Sequence, residues 1–160
     1  MISPDGRVVA YWGHDRRGGP NGGSIYTLAM GGSSEPVQLT HRKAGSDADP
    51  ALSPDGTMIA FRRRVSNDSL DVYVMRSDGS GVRPIATSQA VDEKPAWSPD
   101  GRQLMIISNR DASGEPGKTY DVPCWMSTVP RPNRLGCQPT SFSHLSGRTA
   151  ESAALVGGER

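Results

Sequence analysis

The chain has 160 residues, a formal net charge of +1 and a hydrophobic fraction of 34%. This length allows one ordinary domain, or several small repeated units that share a core. The near-zero net charge argues against a nucleic-acid backbone or an anionic membrane surface as the partner. No stretch approaches the roughly 20 apolar residues of a spanning helix, so we expect no membrane insertion.

The tetrapeptide Ser-Pro-Asp-Gly occurs three times and divides the chain into repeats that start near residues 3, 53 and 98. The four residue types suit successive positions of a type I turn, in which Pro presets φ and Gly tolerates a positive φ. A shared cation site is disfavoured, because turns in separate units are expected to lie far apart. We therefore assign a structural turn role to Ser3, Pro4, Asp5, Gly6, Ser53, Pro54, Asp55, Gly56, Ser98, Pro99, Asp100 and Gly101.

A short apolar segment follows each turn, namely RVVAYW, TMIAFR and RQLMII. Both alternating sets of positions in these segments are mostly apolar, which indicates a short strand that is covered on both faces. The matching segments SIYTL and DVYVM predict a next strand, followed by a glycine hairpin and another strand. DADPAL and DEKPAW precede the second and third turns and supply one more strand. Four short antiparallel strands in about 45 residues are typical of a propeller blade.

The stretches PAWSPDGRQLMII and LDVYVMRSDGSG resemble the WD-like Pro-Asp repeat of the bacterial TolB-type β-propellers. This resemblance implies an all-β fold, an incomplete β-propeller of about three four-stranded antiparallel blades. It also implies a non-catalytic module that binds a protein or peptide, as the TolB component of the Tol-Pal system does, and a periplasmic or other extracytoplasmic compartment. Related repeats form the propeller of prolyl-oligopeptidase-type serine peptidases. The alternative is therefore the propeller portion of such a peptidase, with its catalytic domain outside this chain.

The repeats predict a propeller region over residues 1–128 and a loosely ordered tail, rich in Ser, Pro, Arg and Gly, over residues 129–160. Pro123 stands where a strand centre is expected, so we predict that the third blade weakens or ends as an edge there. A closed propeller has about four to eight blades. Three blades predict a fragment of a longer propeller, or a chain that self-associates through its open blade edges.

Sequence motifs for chemistry are missing. No Gly-x-Ser-x-Gly, Walker or GxGxxG motif occurs, and the three histidines lack the spacing of a helical metal pair. We expect no enzyme activity, no cofactor and no metal. Cys124 and Cys137 predict one disulfide in an exported chain and free thiols in a cytosolic one. The N-terminal stretch MISPDGRVV does not have the pattern of a signal peptide, so the compartment stays open.

Two loops are the predicted contact region, because binding surfaces of propellers are formed by loops at a ring face. They have the sequences HDRRGGPNGGS and NRDASGEPGKT. The candidate protein-binding residues are His14, Asp15, Arg16, Arg17, Arg110 and Asp111. Trp97 is expected to pack in the core, whereas the run Arg62, Arg63 and Arg64 is interpreted as a solvated strand end or loop and not as a phosphate site.

Overall fold

The computed structural model describes residues 1–14, 22–32, 34–41, 45–87, 89–109, 122–127 and 135–137. These residues form eleven strands in three antiparallel sheets, and we call each sheet a blade. Blade 1 contains β1 (Val8–Gly13), β2 (Ser24–Ala29) and β3 (Val37–Gln38). Blade 2 contains β4 (Asp47–Leu52), β5 (Met58–Arg64), β6 (Leu70–Arg76) and β7 (Arg83–Ala86). Blade 3 contains β8 (Asp92–Trp97), β9 (Gln103–Ser108), β10 (Val122–Ser127) and β11 (Leu135–Cys137).

Each blade is a meander, in which strands that follow one another in the chain are also neighbours in the sheet. Blade 1 has three named strands, and the residues before β1 occupy the place that β4 and β8 have in the other blades, so that β1 is the second strand of its blade. Ile2 forms an antiparallel bridge with Val9, and the Ala10 N–H donates to the Met1 carbonyl oxygen over 2.8 Å. The prediction of an incomplete all-β propeller with about three blades is confirmed.

The apolar residues on both faces of β5 are buried because blade 2 packs between the other two blades. On one face, Ile59 and Phe61 join a buried cluster with Ala10 of blade 1. On the other face, Ala60 belongs to a second cluster that includes Leu104 of blade 3. Complete burial of a side chain such as Phe61 stabilises the fold by about 1.5–3 kcal/mol. This packing explains why the segment TMIAFR lacks a polar face.

The contact between blades 2 and 3 also includes a directed polar bond. The indole N–H of Trp97 donates to the carbonyl oxygen of Ala51 on β4 over 2.9 Å. Trp97 is partly buried against the second of the two clusters, as expected for a residue at the core. The indole therefore fixes the end of β8 against the neighbouring inner strand as well as covering apolar surface.

The first strands of blades 2 and 3, β4 and β8, bend at the same position. In β4 the pairing with β5 shifts its register between Ala48 and Ala51, and β8 has an equivalent shift against β9. The third residue of each strand has a positive φ, 52° for Asp49 and 51° for Lys94. This conformation is uncommon for residues other than glycine, and it is more unusual for Lys94 than for Asp49, because aspartate tolerates it better than most residues. A proline follows in both strands, so the sequence repeats the bulge as well as the turn.

The edge expected at Pro123 is not found, whereas a weakening of blade 3 at this residue stays a prediction. β10 is paired on both sides, with β9 and with β11, and Pro123 lies opposite Ile107 of β9. The pairing with β11 begins at Cys124 and includes Met126. The pairing with β11 thus begins one residue after the proline, so the proline removes no donor from that ladder.

Blade 3 extends beyond the predicted domain boundary at residue 128. β11 lies within the segment 129–160 that we expected to be a loosely ordered tail, and it supplies the fourth strand of the blade. The propeller region therefore includes residues up to 137. Apart from β11, this segment lies outside the described residues.

Candidate protein-binding face

The three Ser-Pro-Asp-Gly motifs form the same hydrogen-bonded turn. In blade 2, the Ser53 hydroxyl donates to Asp55 Oδ1 over 2.5 Å and accepts the Met58 N–H over 2.9 Å. The Thr57 N–H donates to the same Asp55 oxygen, and Gly56 has a φ of 72°. The other two motifs repeat these bonds with Ser3 and Asp5 and with Ser98 and Asp100. In each turn the serine and the aspartate thus bond to the turn itself.

Each turn aspartate is held in its ionised form by this network. The hydrogen bond from the serine hydroxyl, followed by that from the backbone N–H two residues on, lowers the pKa of Asp5, Asp55 and Asp100. Hydrogen bonds to a carboxylate stabilise its charged form, which is the cause of the lowered pKa. The three carboxylates therefore stay ionised, and accept these hydrogen bonds, down to a lower pH than an ordinary aspartate does.

Neighbouring turns lie closer together than we expected. A cleft of about 340 Å³ lies between blades 1 and 2 and is lined by Asp5 and Asp55. A second cleft, of about 320 Å³, lies between blades 2 and 3 and is lined by Asp55 and Asp100. In the part of the chain that the structure describes, no group of three or more His, Cys, Asp or Glu side chains could hold a metal ion.

The opposite ends of the sheets form a second face, which we call the loop face. There the second strand of each blade leads into the third, at the paired residues Gly13 and Ser24, Arg64 and Leu70, and Ser108 and Val122. Backbone bonds join these ends across blades, because the Asp47 N–H donates to the Gly23 carbonyl oxygen over 2.8 Å and Leu70 bridges to Val91. The three connections therefore emerge on one side of the molecule. We call the side with the Ser-Pro-Asp-Gly motifs the turn face.

Both loops that the sequence singled out leave from strand ends at the loop face. They follow Gly13 at the end of β1 and Ser108 at the end of β9. His14 lies at the start of the first loop, with its ring centroid 5.6 Å from that of the half-exposed Trp12. The other five predicted binding residues lie outside the described residues, namely Asp15, Arg16, Arg17, Arg110 and Asp111.

A group of charged residues lies at the bulges of the inner strands, and we call it the inner-edge cluster: Asp49, Arg62, Glu93 and Lys94. Arg62 Nε lies 3.0 Å from Asp49 Oδ2, and its Nη1 lies 3.7 Å from Glu93 Oε2 of the next blade. These three side chains are between 23% and 33% exposed, and Lys94 is exposed. β4 and β8 are terminal strands of their sheets, so the cluster borders the side where a closed propeller has its central channel.

The arginine run divides into three different environments. Arg63 makes two bonds of 2.8 Å to the buried carboxylate of Asp47, and its guanidinium carbon lies 4.6 Å from the centre of the Tyr73 ring. Arg62 bridges two blades, and Arg64 is exposed. The interpretation of the run as a solvated strand end is therefore correct for Arg64 and wrong for the other two. Alternation along the strand sends Arg63 to the face opposite that of Arg62 and Arg64, and Arg64 differs from Arg62 because it stands at the end of β5.

Sequence reasoning missed the inner-edge cluster. Two signals were available: the charged residue that stands before proline in both DADPAL and DEKPAW, and the arginine at the sixth position after Gly56. Neither signal is informative alone, because the partners come from β4, β5 and β8 and meet only when two blades pack together. Asp47 and Asp92 occupy equivalent positions, as the first residues of β4 and β8, but they have different partners. Asp47 pairs with Arg63, whereas Asp92 accepts a hydrogen bond of 2.6 Å from the Ser108 hydroxyl.

The repeated blades, their inner bulges and their turns define this molecule as part of a β-propeller built from Pro-Asp repeats. The model of the TolB beta propeller domain matches residues 1–131, so the chain belongs to that family. A TolB homologue of Chlorobium chlorochromatii (strain CaD3) is 36% identical over 109 residues, which cover 68% of this chain and 23% of the homologue. The uncharacterised peptidase YuxL of Bacillus subtilis (strain 168) is 35% identical over 82 residues, covering 51% of this chain and 12% of YuxL.

A solved structure of a TolB-type protein has a similar fold. The TolB-type protein of Agrobacterium tumefaciens superposes with a TM-score of 0.63 at 28% identity, over 79% of this chain and 44% of that protein. The chain thus spans less than half the length of each of these relatives. Among the residues that the structure describes, none belongs to a helix long and apolar enough to cross a membrane.

Proposed function

We propose that this chain is part of a non-catalytic β-propeller that binds a protein or a peptide through the loop face. The observation that carries the proposal is the repeated bulge, which holds Asp49 and Lys94 at positive φ on the terminal strands of two blades. Backbone strain of this kind concentrates at ligand-binding positions and persists only where the surrounding fold imposes it. A bulge also redirects the side chains of a strand.

The inner-edge cluster lies next to the loop face, because Asp49 and Lys94 are two residues from the loop-face ends of β4 and β8, and its composition suits a polar, mixed-charge partner. The inner-edge cluster contains two acidic residues and two basic residues, Asp49 and Glu93 with Arg62 and Lys94. Such a surface offers hydrogen bonds to backbone amides and to side chains of either sign, whereas a nucleic-acid site needs an excess of positive charge. The chain-wide net charge of +1 supports the same choice.

Family membership supports an extracytoplasmic location as part of this proposal. The relatives named TolB cover most of the length of the present chain, whereas the similarity to YuxL covers about half of it. We therefore assign the chain to the TolB-type use of the propeller, in which binding and not hydrolysis is the task.

The proposal is tested with a displayed library of random peptides of about 12 residues, selected against the purified full chain. We expect the enriched peptides to lose at least about tenfold in affinity against the loop-face variants Arg64→Glu and Lys94→Glu. The matched controls are Arg7→Glu and Arg102→Glu, which reverse exposed charges on the turn face. Enriched peptides that respond to the turn-face variants and not to the loop-face variants would overturn the proposal.

The alternative is a peptidase propeller, and the specific observation in its favour is the similarity to the peptidase YuxL. The gene sequence on either side of the segment that encodes this chain distinguishes the two proposals. A downstream Gly-x-Ser-x-Gly followed by Asp and His in the same frame would support the peptidase. An upstream signal peptide and a small α/β domain would support the TolB type.

Self-association through open blade edges is a further part of the proposal. The edge strands β3, β7 and β11, which are terminal in their sheets, offer surfaces for another copy. Light scattering after size exclusion measures this directly. A defined dimer or larger assembly is the expected result, and a sharp monomer peak at all concentrations would contradict it.

A further inference from the structure

The two cysteines of the chain lie directly opposite each other in blade 3. The register of β10 and β11 pairs Cys124 with Cys137 and Trp125 with Gly136. Directly opposed residues of an antiparallel pair have Cα atoms about 4.5 or 5.5 Å apart, depending on the hydrogen-bonding position. A disulfide needs a Cα separation of about 4.4–6.8 Å. The backbone placement therefore meets the geometric condition for a cross-strand disulfide.

We propose that Cys124 and Cys137 form an intramolecular disulfide that fastens β11, the outermost strand of blade 3, to β10. β11 has three residues and is paired on one side, with β10. A strand this short is held by few ladder hydrogen bonds and opens locally at low cost. A cross-link that closes a loop of roughly 15 residues removes most of the conformational entropy that favours the open form.

The chemistry is a two-electron oxidation by thiol–disulfide exchange. The two thiols lose two protons and two electrons as the bond between their sulfur atoms forms. The oxidant is a disulfide such as oxidised glutathione, whose sulfur–sulfur bond breaks to give two thiols that take up those protons and electrons. In an oxidising compartment the disulfide keeps β11 paired with β10. Under reducing conditions β11 can detach, which leaves the edge of β10 unpaired.

This inference is independent of the loop-face proposal, because it concerns the outer rim of one blade. Peptide binding at the loop face could fail while the disulfide forms, and the reverse is equally possible. It does bear on the compartment, since a stable structural disulfide is expected in an exported protein and not in the cytosol.

The first test uses the purified full chain in a glutathione buffer of oxidising ratio, followed by unfolding, alkylation of the remaining thiols and intact mass measurement. We expect a product with the covalent mass of a single chain, two hydrogens lighter than the reduced chain and without an alkyl group. The matched control combines Cys137→Ser with Gly136→Cys. It keeps two cysteines and nearly the same loop, but moves one of them to the position opposite Trp125.

Neighbouring positions of a strand belong to opposite faces of the sheet, so the control should form at least about tenfold less intramolecular disulfide at the same redox potential. Equal disulfide formation in the control, or full alkylation of the native chain in the oxidising buffer, would overturn the proposal.

A second test follows amide hydrogen exchange of β11 in the oxidised and the reduced chain. Oxidation is expected to slow this exchange about 100-fold, the ratio implied by closing a loop of this length. Unchanged exchange in β11, or a disulfide that links two chains, would show that the cysteines do not fasten this strand.

Discussion

Removal of the Arg63 guanidinium tests how the inner strand of blade 2 is held. Arg63 binds the Asp47 carboxylate through two bonds of 2.8 Å, and the Asp47 side chain is 1% exposed. Substitution Arg63→Met keeps the apolar stem over Tyr73 but leaves a buried carboxylate without its cationic partner. Breaking such a buried pair from one side costs about 3–5 kcal/mol, and the lost contact with the aromatic ring adds about 0.5–1 kcal/mol.

Urea unfolding of the full chain, followed by tryptophan fluorescence, measures this loss as a change in the free energy of unfolding. The control is Arg64→Met, which removes the neighbouring exposed arginine and is expected to change stability by about 0.5 kcal/mol or less. The double variant Asp47→Leu with Arg63→Met removes both charges and should be more stable than Arg63→Met alone by about 2 kcal/mol or more. A loss below about 1 kcal/mol for Arg63→Met, or a double variant less stable than the single one, would refute the reasoning.

Three other predictions concern the turns and the blade contact. Ser98→Ala removes the main cause of the lowered pKa of Asp100, so this pKa should rise, as measured by carbon NMR titration. Gly56→Ala places a side chain at a φ of 72° in open space and should destabilise by about 1–2 kcal/mol, whereas Gly56→Asn should cost less, by urea unfolding. Trp97→Phe removes the bond to the Ala51 oxygen and should cost about 1–3 kcal/mol, seen as faster exchange of amides between blades 2 and 3.

The pH dependence of the turns has a definite sign. The pKa of Asp100 in the folded chain lies below its unfolded value, so the carboxylate stabilises the fold above the unfolded pKa of about 3.9. This contribution is lost as the pH falls through the folded pKa. The variant Asp100→Asn should therefore lose less stability than the native chain in that acidic window. An unchanged pKa of Asp100 in Ser98→Ala would contradict the assigned cause.

Two results would contradict the predictions for Gly56 and Trp97. If Gly56→Asn is as destabilising as Gly56→Ala, the positive φ is not the source of the cost, since Asn tolerates this region better than Ala. If Trp97→Phe changes exchange equally in all three blades, the indole bond to Ala51 does not act at the contact between blades 2 and 3.

The sequence was sufficient for the blades because turn chemistry and strand periodicity are local properties. The proline of each Ser-Pro-Asp-Gly turn fixes φ and the glycine permits a positive φ wherever they stand, and the apolar residues at both alternating sets of positions in TMIAFR indicate burial on both faces. Pro123 does not end the sheet, because β11 pairs with the residues that follow it, and this register is not a local property of the sequence.

The position of the candidate site stays a prediction, and its charged residues were not predicted. The loops after β1 and β9 were assigned to a ring face from their composition, and the strand ends that flank them lie at the loop face. The inner-edge cluster needs Arg62 of β5 to reach Asp49 of its own blade and Glu93 of the next one. Contacts between blades depend on packing and not on local sequence, so no periodicity could have identified them.

The central claim is that partners bind at the loop face, and an exchange footprint tests it most directly. Amide hydrogen exchange of the full chain is measured with and without the tightest peptide from the selection. The account predicts slowed exchange at Gly13, at Arg64 and along the bulge around Lys94, with no change at the Ser-Pro-Asp-Gly turns. Slowed exchange at Asp55 and Asp100, in the clefts of the turn face, would contradict it.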